Sequence, residues 1–237
     1  VADDPRRFRS DRGKGEYNPF VERIDEFAPW AMRSDAADAV SDWRTELGIG
    51  PDAPLLVEVG PGNGFFFREV GRRFPDAGLV AIEVRFKRVW LTAKKAREYG
   101  LEAFRVLHHS GGHLADLFAA NSVDGVYVNH PDPWPKERHH KHRLLQPPFA
   151  ADVAAVLKPG GEVWVQSDFQ PYGPLAQEVF AAPTFAPIAY TTDLHGATDW
   201  LENPPESACW AGDIQTNYER KKRAAGEPIV LAGFRRA

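Results

Sequence analysis

The chain is 237 residues long, 43% hydrophobic and 26% charged, with a formal net charge of -4. These proportions belong to an ordinary folded domain and exclude a disordered chain or a fibre; no apolar run approaches the roughly 18 residues that would cross a bilayer, and the first residues carry charge without the apolar stretch of a secretory signal. The single cysteine, Cys209, excludes an internal disulfide and any multi-cysteine zinc or iron-sulfur centre, so the expected setting is the reducing cytoplasm.

Residues 1–18 hold Arg6, Arg7, Arg9, Arg12 and Lys14 with no apolar period, and read as a mobile basic arm ahead of a single domain over 19–237. From Pro19 to about Leu47 a helical stretch is predicted, because Phe20, Ile24 and Phe27 recur at helical spacing before Pro29 interrupts. Leu55–Val59 and Leu79–Val84 are short apolar runs of the kind buried parallel strands show. Between them Phe66, Val70 and Phe74 keep a helical period, as do Phe86, Val89, Trp90, Ala93 and Ala96 after them. Further strands are predicted over Ala103–Leu107, Val123–Asn129, Glu162–Ser167, Phe185–Tyr190 and Ile229–Phe234, with helices over Leu114–Ala119, Pro148–Leu157, Tyr172–Phe180 and Thr216–Ala225. Lys158-Pro159-Gly160-Gly161 reads as the turn between one helix and the next strand. Strands alternating with helices imply right-handed crossovers and a doubly wound α/β sheet.

The first strand ends in Glu58-Val59-Gly60-Pro61-Gly62-Asn63-Gly64 and a helix follows, the place where an open α/β sheet binds ligands. Gly60, Gly62 and Gly64 give G-x-G-x-G rather than the G-x-G-x-x-G of dinucleotide sites, and a G-x-x-x-x-G-K-[ST] phosphate loop is absent. Glu83 ends the second strand 19 residues after Gly64, near the roughly 20-residue offset at which a carboxylate accepts ribose hydroxyls. Glu58 closes an apolar strand, where a carboxylate is costly unless paired. A cationic nucleoside such as S-adenosylmethionine would pair it, and a pyrophosphate would be repelled.

After Asn129 comes His130-Pro131-Asp132-Pro133-Trp134-Pro135-Lys136. Two prolines restrict the backbone around Asp132, whose carboxylate can accept from a guanine Watson-Crick edge while Trp134 stacks on an extruded base. Lys136, Arg138, Lys141 and Arg143 follow as candidates for phosphate contacts. A second basic run, Arg220 to Arg223, comes after a stretch from Pro159 to Glu219 that holds no Lys or Arg.

Glu58 to Gly64 with Glu83 resembles the nucleoside-binding half of the class I methyltransferase fold, which implies seven strands with the last antiparallel. The longer segment from Pro131 to Gln146, together with Ser167-Asp168-Phe169-Gln170-Pro171-Tyr172 and Thr216-Asn217-Tyr218-Glu219-Arg220, resembles the bacterial tRNA (guanine-N7-)-methyltransferases. The resemblance runs from about Leu55 to the C-terminus. It implies S-adenosylmethionine as cofactor, tRNA as partner, and N7 of a guanine in the variable loop as acceptor. It also implies that Glu58, Gly60, Gly62, Gly64 and Glu83 serve the cofactor, that Asp132 is catalytic, and that Lys136, Asp168, Thr216, Asn217, Tyr218 and Glu219 serve the substrate. Ser110 stands where the family has an adenine-binding aspartate and is the expected contact there; as a weaker acceptor it predicts reduced cofactor affinity. Residues 193–213 look longer and more acidic than the family pattern.

Guanine N7 carries a lone pair and no proton, so methyl transfer requires alignment rather than a base. Asp132 and Asp168 would orient the ring and favour its developing positive charge. Two other readings fit the same residues: a methyltransferase acting on an exocyclic base amine, and an inactive RNA-binding homologue. Seven of the eight histidines fall between His108 and His142, but His139, His140 and His142 sit among Lys and Arg and lack H-E-x-x-H spacing, so no metal site is expected. Neither membrane nor metal is an expected partner, and the chain is expected to act as a monomer or homodimer.

Overall fold

The computed structural model describes residues 18–196, 200 and 203–237, which form two compact units, the first running to Ala119 and the second starting at Ala120. Except for Asn18, the basic arm expected over residues 1–18 lies outside the described residues.

In the first unit the stretch predicted as helical is broken into short pieces: α1 (Phe20–Arg23), a 3-10 turn (Ile24–Phe27), the two-residue strand β1 (Ala31–Met32), α2 (Ser34–Asp38) and α3 (Trp43–Leu47). Local chemistry explains the difference. Pro29 has no N–H to continue a helix, the chain turns extended at Ala28, and the Trp30 carbonyl accepts from Val106 N at 2.7 Å. That bond draws Ala31 and Met32 into parallel register with Val106 and Leu107. Asp42 then caps α3 by accepting from Arg44 N, and Gly48, at φ +67°, ends it.

β2 (Leu55–Val59), β3 (Gly78–Glu83) and β4 (Phe104–His108) are parallel, in the order β1-β4-β3-β2. β2 and β3 are buried along their whole length, which is why they read as unbroken Leu, Val and Ile runs. α4 (Phe65–Arg73) buries Phe66, Phe67 and Val70, and α5 (Phe86–Glu98) buries Val89, Trp90, Ala93 and Ala96. The register sets Glu58 opposite Ala81 and Glu83 opposite His108. Two carboxylates thus stand near the carboxyl ends of adjacent strands, where α/β sheets take their ligands. The helix predicted over Leu114–Ala119 is a short 3-10 turn, Leu114–Asp116.

In the second unit β5 (Val123–Asn129) is followed by α6 (Pro147–Val156) and β6 (Leu157–Ser167), then α7 (Tyr172–Val179), β7 (Phe185–Thr191), α8 (Asn217–Ala224) and β8 (Val230–Arg236). The strands lie in the order β5-β6-β8-β7, with β5 and β6 parallel and β8 antiparallel to both its neighbours. The seven expected strands are β2 to β8, and β1 is an eighth. Lys158 to Gly161 falls inside the span of β6: Val123 pairs with Leu157 and Gly125 next with Glu162. The four residues between therefore loop out of the ladder, with Gly160 at φ +81°. Gly233 of β8 is held by packing, since a Cβ there would lie 2.4 Å from Trp164 Cζ3.

Candidate active site

The loop from Gly60 to Gly64 folds as its glycines require. All three adopt left-handed backbone, at φ +75°, +60° and +71°, a region where a side chain is strained. Gly60 N donates to Ile82 O at 2.9 Å and Gly64 N to Pro61 O at 2.9 Å, fixing the loop to the end of β3 and curling it into α4. Helix α5 presses on it from the side: a Cβ on Gly64 would lie 2.8 Å from Thr92 Cα, and one on Gly62 would lie 2.9 Å from Arg88 Nη1. The Thr92 hydroxyl donates to Gly62 O at 3.3 Å. Bare backbone is what remains for a ligand to touch.

Glu58 and Glu83 are 3% and 6% exposed. Burial pushes the Glu83 carboxyl above its ordinary value, against the Arg85 N–H that donates to Oε1 at 3.0 Å and the charge of Arg88. Such a group favours a ligand that brings hydrogen-bond donors. Past β4, His109 N donates to Glu83 O at 3.1 Å, and Gly111 sits against Val59 so closely that a Cβ would meet Cγ1 at 2.3 Å. These contacts bring half-buried Ser110 beside the ends of β2 and β3, its Oγ 3.4 Å from Gly112 N. Within the first unit, then, Glu58, the three glycines, Glu83 and Ser110 gather at neighbouring strand ends.

The second unit holds the remaining candidates. Between β5 and α6, His130 and Trp134 take φ +48° and +40°, uncommon for residues with side chains and a mark of imposed strain. Three groups impose it. His130 N donates to Gln166 O at 2.7 Å, the Tyr172 hydroxyl donates to Asp132 O at 2.5 Å, and Arg143 donates through Nε to Pro133 O at 3.0 Å and through Nη2 to Trp134 O at 3.3 Å. Arg143, grouped in the sequence with phosphate-binding candidates, is thus committed to loop carbonyls. Burial pushes the Tyr172 phenol up to about 12, so it stays a donor at any working pH. The Asp132 side chain and Lys136 are exposed, and Trp134 is flanked by His139 and His142 at ring distances of 5.7 and 5.2 Å.

Asp168 is a junction. Oδ1 lies 3.3 Å from His130 Nδ1, and Oδ2 lies 3.2 Å from both the Tyr218 hydroxyl and Lys222 Nζ. The bond to His130, aided by Lys222, holds its carboxyl well below the usual carboxylate range. Lys222 is pushed above its ordinary value by Glu227 and Asp168. The Tyr218 ring is 48% exposed and meets His130 edge-on at 5.0 Å.

Thr216 and Glu219 form the capping box of α8, each accepting from the other's backbone N–H. Glu219 is fully buried and also takes Gln166 Nε2 at 2.6 Å on Oε2, while Oε1 lies 2.5 Å from His195 Nε2. Asn217 is the first residue of that helix. Cys209 is buried, its thiol pushed up to about 12 by burial, as a packing residue would be. Sequence reasoning misses Tyr172, Arg143 and His130 as loop supports and Lys222 and His195 as carboxylate partners. Only Lys222 leaves a signal, one helical turn after Tyr218.

Comparisons with known proteins identify the family and the fold. The methyltransferase family model Methyltransf_4 matches residues 52–232. A tRNA (guanine-N(7)-)-methyltransferase of Levilactobacillus brevis is 36% identical over 185 residues, covering 76% of this chain and 80% of that protein. Its counterpart in Lactobacillus delbrueckii subsp. bulgaricus is 31% identical over 218 residues, covering 90% and 94%. Among solved structures, the 16S rRNA methyltransferase KamB superposes with a TM-score of 0.58 at 15% identity, covering 83% of this chain and 94% of that one. TrmN from Thermus thermophilus gives 0.53 at 18% identity, covering 85% and 52%. Both share the fold.

Proposed function

We propose a division of labour within a chain that belongs to the tRNA (guanine-N(7)-)-methyltransferase family. The chain transfers a methyl group from S-adenosylmethionine to N7 of a guanine in tRNA; we place the cofactor contacts in the first unit and the acceptor contacts in the second. The family match over residues 52–232 runs through both units, which supports 19–237 working as one methyltransferase domain.

The first unit's residues fit this cofactor. Left-handed glycines leave backbone free of any Cβ, buried Glu83 suits the two donors of a ribose, and buried Glu58 suits a cationic group that compensates its charge. Ser110 is set to accept from the adenine amine. Bound there, the cofactor supplies an electrophilic methyl on a sulfonium.

In the second unit Asp132 accepts from the donors of the guanine Watson-Crick edge, and Trp134 and the exposed ring of Tyr218 offer stacking surfaces. Lys136 takes a phosphate. Because N7 has no proton to lose, no group here acts as a base; alignment carries the rate. Asp132 and Asp168 lower the energy of the ring as it turns cationic, and Asp168 is suited to this because it stays ionised. Thr216 and Glu219 hold the start of α8, and with it Asn217 and Tyr218, in place. The observation that carries this reading is the strained Asp132 loop, which three separate hydrogen-bonding groups hold in one conformation.

The test is to incubate unmodified tRNA with labelled S-adenosylmethionine, then reduce with borohydride and cleave with aniline. N7 methylation leaves a fixed-charge base that cleaves, and one cut at a variable-loop guanosine is expected. Label without cleavage would indicate an exocyclic amine as target; absence of label would indicate a homologue that binds RNA without methylating it.

A further inference from the structure

The basic side chains of α4 and α5 come singly or in pairs among other residues, and the fold gathers several of them around two aromatic rings. Lys95 Nζ lies 4.1 Å from the centre of the Phe65 ring. Arg68 Cζ lies 5.2 Å from the same ring and 4.2 Å from that of Tyr99. Arg72 continues the line along α4, and Glu69 pairs with both arginines, at 3.2 Å to Arg68 and 3.0 Å to Arg72. One carboxylate therefore serves two guanidinium groups, and Lys95 lies over its ring with the charge of Glu98 acting on it. Burial, then the charge of Arg68, push the Lys95 ammonium below its ordinary value and outweigh the opposing charge of Glu98. Tyr99, 45% exposed, closes the end of the stripe.

A local excess of positive charge on a chain of net charge -4 calls for an anionic partner. Cations already held over rings lose less side-chain freedom on binding. We propose that this face of the first unit, carried by Arg68 and Lys95 with Arg72 and Tyr99 beside them, docks backbone phosphates of the tRNA substrate. The contact is sequence-independent: it positions the RNA and reads no base. It rests on tRNA being the substrate, and not on which atom of the base is methylated.

The experiment measures binding of a full-length tRNA transcript to the wild type, Lys95→Gln, Arg68→Gln and the double variant over a series of salt concentrations. Each lost phosphate contact should lower the slope of log affinity against log salt by about 0.9, hence by about 2 in the double variant, with tRNA affinity weakened about tenfold. Lys95→Arg should restore most of the slope. Circular dichroism and calorimetric S-adenosylmethionine affinity should match the wild type. A folded double variant whose slope and tRNA affinity equal those of the wild type overturns the proposal. So does a parallel loss of S-adenosylmethionine affinity, which would assign these cations to the neighbouring glycine loop. Mapping of the methylated base is a separate measurement, so failure of the N7 reading and failure of this surface are distinguishable.

Discussion

Tyr172 touches the Asp132 loop through a single oxygen, and its ring packs edge-on against Phe169 at 5.3 Å. Tyr172→Phe therefore removes one hydrogen bond and keeps the packing. With such a bond near 1 kcal/mol, turnover should fall about fivefold to tenfold while S-adenosylmethionine affinity holds. Asp132→Asn should cost far more, on the order of a hundredfold in turnover, again with cofactor binding retained. Steady-state kinetics beside calorimetry separates the two quantities, and equal losses in both would place Asp132 at the cofactor. Ser110→Asp should tighten cofactor binding, because a carboxylate accepts from an amine more strongly than a hydroxyl; unchanged or weaker binding by calorimetry would remove Ser110 from that contact. For Asp168 the sign follows from its depressed carboxyl. Its contribution to stability is complete above its ordinary value of 3.8 and is lost as pH falls below it toward the folded-state value. The melting-temperature gap between wild type and Asp168→Asn should thus be flat from pH 8 to about pH 5 and narrow in stronger acid. The residues proposed to meet the acceptor stand out in the sequence because Pro131-Asp132-Pro133-Trp134 is a compact motif. Their supports do not, since Tyr172 reaches Asp132 across 40 positions and Arg143 reaches Pro133 across 10.

At the level of elements, the glycine loop and helix α5 form one packed unit. Gly64→Ala places a side chain both in left-handed backbone and 2.8 Å from Thr92 Cα, and backbone cannot swing aside as a side-chain tip can. A loss of about 2–4 kcal/mol is expected, read as a lower midpoint in urea together with weaker S-adenosylmethionine binding. Gly60→Ala, where a Cβ would meet nothing within 4 Å, should show the smaller penalty of backbone strain alone. The limits of β2 and β5 are legible because their apolar runs stop abruptly, at Gly60 and at His130-Pro131. The segment before them is not. Its spacing of Phe20, Ile24 and Phe27 is helical, but β1 exists only because Trp30 O finds Val106 N in a strand far along the chain, and no local pattern announces a partner of that kind. The same limit applies to Lys158 to Gly161, whose turn residues are plain while their place inside a strand depends on what β5 offers for pairing.

Across the whole molecule, among the described residues no helix is long and apolar enough to cross a membrane. Cofactor binding should be visible in global stability. At a concentration about 100 times its dissociation constant, S-adenosylmethionine adds about 2.7 kcal/mol to the folded state, worth roughly 5–11 °C for a chain of this size. A thermal melt should show that rise for the wild type and lose most of it in Glu83→Ala; an equal rise in both would remove Glu83 from the cofactor site. The placement of β8 between β6 and β7 has a further consequence, in the order of assembly. During synthesis β6 and β7 leave the ribosome before the strand that joins them. Until Val230–Arg236 arrives, one edge of β6 is open and β7 has no partner in the sheet, a state prone to wrong pairing between chains. The close fit of Trp164 over Gly233 then acts as a latch at the centre of the late-arriving strand, and a larger residue at 233 should trap nascent chains in that open state even where the finished protein tolerates it.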